Sequence, residues 1–259
     1  MLVIEGIDIK MNKKCVLVTG ASSGIGSSIV RKFASNNCNV ILHYNTHEEE
    51  AINLKNELEN KYNIECLCIK CNLQNEDDIN NMYQLVKEKY EYIDVLVNNA
   101  GIAIDTLFED KTKEQFMKTL EINLVAPFLL SKLFGEDMFK NKTGNIINIS
   151  STNGIDSYYQ YSLDYDSSKA GLINLTHNLS NHFAPYVRVN CVCPGWVKTP
   201  MNSELGEEYI KGEEEKILLN RFANPEEIAN LVYFLSSNDA SYINDSIIKI
   251  DGGVKHGIN

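Results

Sequence analysis

No stretch of the 259-residue sequence approaches the roughly eighteen consecutive apolar residues of a membrane-spanning helix. Positive charge is also scarce. Lys and Arg number 24 against 35 Asp and Glu, a net charge of −11, which argues against nucleic acid or an anionic membrane as the main partner. A secretory signal is missing as well: Met1-Leu2-Val3-Ile4 is too short, and Lys10, Lys13 and Lys14 follow it instead of preceding it. Met11-Asn12-Lys13-Lys14 reads as a start just ahead of a strand, so residues 1–12 are expected to be a dispensable leader and the protein cytoplasmic. Of the seven cysteines, Cys66-x-Cys68-x-x-Cys71 looks like half a metal site, but no second Cys/His cluster lies at zinc-finger spacing. Buried thiols in a reducing compartment, and no metal, are therefore expected. Repeats, low-complexity tracts and linkers are lacking too, which leaves one domain over 13–259. Only Trp196 to Arg221, rich in Glu and Lys, reads as a mobile substrate loop with a short helix.

What is present is alternation. Short apolar runs at Cys15–Val18, Asn39–Tyr44, Ile64–Ile69, Ile93–Val97, Asn145–Ile149, Val187–Val192 and Ser246–Ile250 read as seven strands. Helical patterns fill the gaps: after Gly24, over Thr46–Asn60, Glu76–Lys89, Lys113–Phe139 with a bend near Pro127, from Tyr165 through Phe183, and over Pro225–Leu235. Strands and helices in turn from end to end predict an α/β fold, a single doubly wound parallel sheet with helices on both faces. Such sheets bind ligands beyond the carboxyl ends of their strands. The unusual residues fall there: Gly20 to Gly26 after the first strand, Asn98 to Gly101 after the fourth, Ser150-Ser151 after the fifth and Pro194-Gly195 after the sixth. A glycine turn between strand and helix lets the backbone approach a pyrophosphate and presents free N–H groups to it.

Tyr165 and Lys169 lie one helical turn apart and so share a face. A phenol has an ordinary pKa near 10, and an adjacent ammonium is expected to lower it into the range useful for acid–base chemistry.

Together these residues resemble the short-chain dehydrogenase/reductase family, above all its 3-oxoacyl-[acyl-carrier-protein] reductases and bacterial glucose and hydroxysteroid dehydrogenases. The matching motifs are Thr19-Gly20-x-x-x-Gly24-x-Gly26, Asn98-Asn99-Ala100-Gly101, Asn123, Ser151, Tyr165-x-x-x-Lys169, Pro194-Gly195 with Thr199, and Asp251-Gly252-Gly253. The resemblance implies hydride transfer between a nicotinamide and a ketone or secondary alcohol. Tyr165 would then be the general acid/base, Ser151 the hydrogen-bond donor to the reacting oxygen, Lys169 the holder of the ribose, and Asn123 the site of a proton-relay water. Against this, Ser151 also fits a strand-end turn, and Asn123 a bond to helix backbone near Pro127. The resemblance places the dinucleotide against Gly20, Ser22, Ser23, Gly24, Ile25 and Gly26, then Tyr44 and Asn45, Asn72 and Leu73, Asn99, Ala100 and Gly101, Tyr165 and Lys169, and Pro194, Gly195, Val197 and Thr199.

Strand two ends in His43-Tyr44-Asn45-Thr46-His47, with no carboxylate before Glu48 to bond an NAD ribose, so NADP(H) is favoured and NAD(H) stays possible. Ser22, Ser23, Asn45 and His47 are the neutral groups available to the extra phosphate. Asn72 replaces the family's usual Asp, and Tyr158, Tyr159 and Tyr161 crowd the approach to Tyr165. Arginines expected of a carrier-protein dock are missing: Leu129 follows Phe128, and Asn181 to Tyr186 lies beyond the Tyr165 helix. A small-molecule carbonyl or alcohol substrate and a homotetramer are the partners implied. Alternatives are a sugar or hydroxysteroid dehydrogenase, or a non-catalytic dinucleotide-sensing regulator.

Overall fold

The computed structural model describes residues 13–156, 159–202 and 205–254; the leader expectation and Tyr158 lie outside them. Seven strands form: β1 Cys15–Val18, β2 Asn39–Tyr44, β3 Cys66–Lys70, β4 Val95–Asn98, β5 Asn145–Ile149, β6 Arg188–Pro194 and β7 Ile247–Ile250. They pair parallel throughout, in the order β3-β2-β1-β4-β5-β6-β7. This is the expected doubly wound sheet. The order reverses between β1 and β4, and ligand crevices open at such a point.

Helices cover both faces, which is why the strands are continuous apolar runs. Successive side chains of β1 point to opposite sides. Val16 and Val18 face Ile29 and Phe33 of α1 (Gly24–Ser35), Leu54 and Leu58 of α2 (Glu48–Tyr62), and Ile228, Val232 and Leu235 of α8 (Pro225–Ser236). Cys15 and Leu17 face Ile79, Met82 and Val86 of α3 (Glu76–Lys89), Leu130, Phe134 and Met138 of α5 (Ala126–Lys140), and Leu179 and Phe183 of α6 (Leu163–Phe183). All seven cysteines are free thiols, six of them buried and Cys68 half-buried.

The helical stretch expected over Lys113–Phe139 divides into α4 (Lys113–Leu120) and α5, joined by a π-turn over Glu121–Val125. Pro127 sits in the first turn of α5, where its missing N–H costs little. The interruption therefore precedes the proline. The segment Trp196 to Arg221 carries α7 (Glu207–Lys216) and is tied back by a bridge between Val197 and Ala223. Asn244-Asp245, odd in sequence, closes the turn into β7. Asn244 Oδ1 accepts from Val189 N at 2.8 Å, and Asp245 takes φ +59°.

Candidate active site

The turn after β1 is shaped by close backbone approach. Gly20 and Gly24 have φ of +62° and +54°, a region open to glycine at little cost. A Cβ on Gly26 would lie 2.2 Å from the Gly20 carbonyl and 2.7 Å from Asn99 Nδ2, so only glycine lets α1 begin there. Ser23, the N-cap of α1, makes no side-chain cap bond, and the first turn holds no acidic residue. The positive helix end is left for an anion. Across from it, the Gly24 Cβ position lies 3.5 Å from Thr199. Glycine turn and bare helix end together have the character of an anion site, with Thr199 beside them.

The second wall comes from β4. Thr19 Oγ1 accepts from the backbone N–H of Asn99 and of Ala100, both at 3.0 Å, and Asn99 Nδ2 donates to the Thr19 and Gly20 carbonyls at 2.9 and 3.2 Å. His43 holds the glycine turn from β2, a link that the sequence did not reveal. Gly20 N–H donates to its Nδ1 at 3.0 Å, and its Nε2 lies 3.0 Å from the Cys71 carbonyl. A neutral ring protonated at Nε2 satisfies both. Burial holds its pKa down to about 4. A histidine inside an otherwise apolar strand was the available signal, since buried ring nitrogens need partners.

Tyr165 and Lys169 stand on the first turns of α6, and both reach the end of β5. Lys169 is buried, donates to the Ile149 carbonyl at 2.8 Å and lies over the Tyr165 ring, 5.5 Å from its centroid. The Tyr165 pKa departs from expectation. Tyr165 is half-buried as a residue, but loss of water around its hydroxyl pushes the phenol up to about 12, and a hydrogen bond with Ser151 pulls it only partly back. Lys169, engaged with a carbonyl and sitting over the ring, does not offset that burial. Its own pKa is lowered to about 8 by burial. Ser151 Oγ also accepts from Asn153 N at 3.2 Å.

Asn123, buried in the π-turn, accepts from Ile102 N and donates to Ile102 O, both at 2.9 Å, and donates to Ser168 Oγ at 3.0 Å. It clamps the chain beyond Gly101 onto α6, rather than mending backbone near Pro127. The Gly101 Cβ position lies 3.4 Å from both Asn123 Oδ1 and Lys169 Nζ, so these three residues meet.

The remaining expected residues divide by exposure. Ser22 and Ile25 are half-buried at the turn, Ser23 and Asn45 are exposed, and Tyr44 is buried at the end of β2. Leu73 packs its side chain into the core, leaving only its backbone to face a ligand. Asn72 Oδ1 accepts from Gln74 N at 3.1 Å. Pro194 pairs with Ile250, Gly195 N donates to Ile250 O at 3.0 Å, and Val197 is buried.

One further pair went unread in the sequence. Lys111 and Asp164, both buried, meet at 2.9 Å, and Asp164 also accepts from Thr119 Oγ1 at 2.7 Å. Lys111 Nζ reaches the Ile104 carbonyl as well, fastening that loop to α6 one residue before Tyr165.

A family profile described as "Enoyl-(Acyl carrier protein) reductase" matches residues 20–255. The chain is 39% identical over 249 residues to the 3-oxoacyl-[acyl-carrier-protein] reductase of Aquifex aeolicus, covering 96% of this chain and 100% of that protein. It is 39% identical over 247 residues to the reductase of the same name from Rickettsia felis, covering 95% and 98%. Among solved structures, L-sorbose reductase from Gluconobacter frateurii, complexed with NADPH and L-sorbose, superposes with a TM-score of 0.88 at 25% identity, over 95% of this chain and 98% of that one. A blue fluorescent protein from a metagenomic library, in complex with NADPH, gives a TM-score of 0.87 at 28% identity, over 93% and 98%.

Proposed function

The chain belongs to the short-chain dehydrogenase/reductase family and is an NAD(P)-dependent oxidoreductase; within that frame we propose that it reduces a 3-oxoacyl ketone to the secondary alcohol with NADPH. The observation that carries this reading is the meeting of Tyr165, Ser151 and Lys169 at the end of β5, with the phenol hydrogen-bonded to Ser151 and the Lys169 ammonium over its ring. Near neutrality the phenol is protonated, the state that a donor to a developing alkoxide requires. The reduced nicotinamide supplies the hydride. As charge gathers on the substrate oxygen, Tyr165 releases its proton to it and Ser151 Oγ hydrogen-bonds the same atom.

Lys169 holds the nicotinamide ribose, and the glycine turn with Thr199 holds the pyrophosphate. The relay expected of Asn123 falls to its backbone carbonyl, because both amide protons of its side chain are committed to Ile102 and Ser168. Pro127, four residues on, has no N–H to donate to that carbonyl. The preference for NADPH is supported by the end of β2, where Tyr44, Asn45, Thr46 and His47 present no carboxylate to repel a ribose phosphate. NADPH in the two solved relatives points the same way. The homotetramer and cytoplasmic location implied by the resemblance belong to this proposal, and light scattering reads the first.

The test is a panel of 3-oxoacyl thioesters, β-keto esters, sugars and steroids with NADPH and with NADH, followed by absorbance of the reduced nicotinamide. Tyr165→Phe should lower kcat by about a thousandfold or more while NADPH still binds. A variant keeping about a tenth of the rate would remove Tyr165 from its role.

A further inference from the structure

The cleft beside Tyr165 is bordered by groups that proton transfer does not use. Thr106 N donates to Tyr161 O at 3.0 Å, Tyr159 N donates to Asp166 Oδ2 at 2.9 Å, and Ser162 Oγ donates to Asp105 Oδ1. These bonds stitch the loop carrying Asp105 to the tyrosine loop just ahead of α6. Tyr159 and Tyr161 pack edge to face with centroids 5.2 Å apart. On the other side, Trp196 directly follows Gly195. It stacks on Phe222 at 5.3 Å, meets Tyr209 edge-on at 6.2 Å and donates from Nε1 to Glu213 at 3.2 Å.

The two sides sense each other. Burial pushes the Tyr159 and Tyr209 phenols up, and the carboxylates of Asp105 and Glu213 push both further. Lys111 is engaged with Asp164 at 2.9 Å, Lys216 with Glu213 at 2.6 Å, Lys249 with Asp156 and Asp251 at 3.2 and 3.3 Å, and Lys169 with the Ile149 carbonyl at 2.8 Å, while Lys198 and Lys211 lie exposed. Asp105 is exposed and forms no ion pair among the described residues.

We propose that this aromatic, acid-rimmed mouth selects uncharged carbonyl compounds bearing an apolar group and turns away those carrying a carboxylate or phosphate near the reacting carbon, with Asp105 as a specificity-determining residue. The inference rests on the reductase reading above. Aromatic faces reward an acyl chain or ring by area and dispersion. An anion brought among them loses water and meets the negative Asp105. An ester or thioester bears none of these costs. Like charges several ångströms apart at an effective dielectric of about 20 to 40 separate the two substrate classes by roughly tenfold or more.

The experiment compares kcat/KM with NADPH for ethyl 3-oxobutanoate and for the 3-oxobutanoate anion, at low ionic strength and in about 0.5 M salt, with the wild-type protein and Asp105→Asn. Asparagine keeps an oxygen for Ser162 while removing the charge. The ester is expected to exceed the anion by roughly tenfold at low salt, with the ratio shrinking several-fold in high salt and in Asp105→Asn. Turnover of both within about twofold, or a ratio indifferent to salt and to the variant, overturns the proposal. Should Asp105→Asn fail to fold, Asp105→Ser, which also removes the charge, is compared in its place, because a chain of net charge −11 gives the wild-type salt series a background of its own. Failure to reduce any carbonyl in the wider panel overturns the reductase reading itself, a distinguishable result.

Discussion

His43 ties the glycine turn to pH. Its folded-state pKa of about 4 lies below the ordinary 6.5 because burial disfavours the charged ring. The native state thus binds fewer protons than the unfolded chain wherever the two differ. The stabilisation is complete above about pH 6.5 and is lost as pH falls toward about 4. The difference of 6.5 − 4, at 1.36 kcal/mol per unit, makes that loss about 3 kcal/mol. Near-complete burial of the ring leaves little solvent screening to discount.

His43→Gln offers an amide oxygen for Gly20 N–H and an amide N–H for the Cys71 carbonyl, but cannot take up a proton. Urea unfolding of both proteins from about pH 7.5 down to about pH 4.5 should show wild-type stability falling faster, by up to about 1.4 kcal/mol per pH unit. Subtracting the two curves removes the contribution of every other titrating group. Parallel curves would refute the assignment of a neutral, doubly bonded imidazole.

Two more outcomes follow from single contacts. Gly26→Ala places a Cβ 2.2 Å from the Gly20 carbonyl, so the turn must open, and NADPH affinity by fluorescence titration should fall at least about tenfold; unchanged affinity would contradict the close approach. Lys111→Met leaves Asp164 charged and buried, at a cost of about 3–5 kcal/mol in chemical denaturation. Adding Asp164→Asn should recover most of that loss, and additive losses would show that the two side chains are not coupled.

Much of the fold was legible because its strands are buried on both faces. β1, β2 and β5, together with α3, fall on the expected residues, since apolar runs and the Asn75 cap mark their ends without tertiary help. The junction over Glu121–Val125 was not legible. The π-turn coincides with Asn123 reaching across to Ile102, a contact between chain-distant residues that leaves no local signature. The expected Tyr165 pKa was wrong in sign for a similar reason. Spacing places Lys169 on the same helix face, but cannot say whether its ammonium meets the hydroxyl or the ring, or how much water the phenol loses.

Sequence alone determined the alternation of strand and helix and the glycine turn, which depend on residues within one turn or strand of each other, and the family, whose short motifs follow in order from Thr19 to Gly253. Only tertiary structure decided that His43 bridges Gly20 to the Cys71 carbonyl, that Lys111 neutralises Asp164, and that Asp105 bonds Ser162 just ahead of α6. Those groups are separated by tens of residues of chain. Their energies come from burial and from charges brought within a few ångströms, which sequence order does not encode.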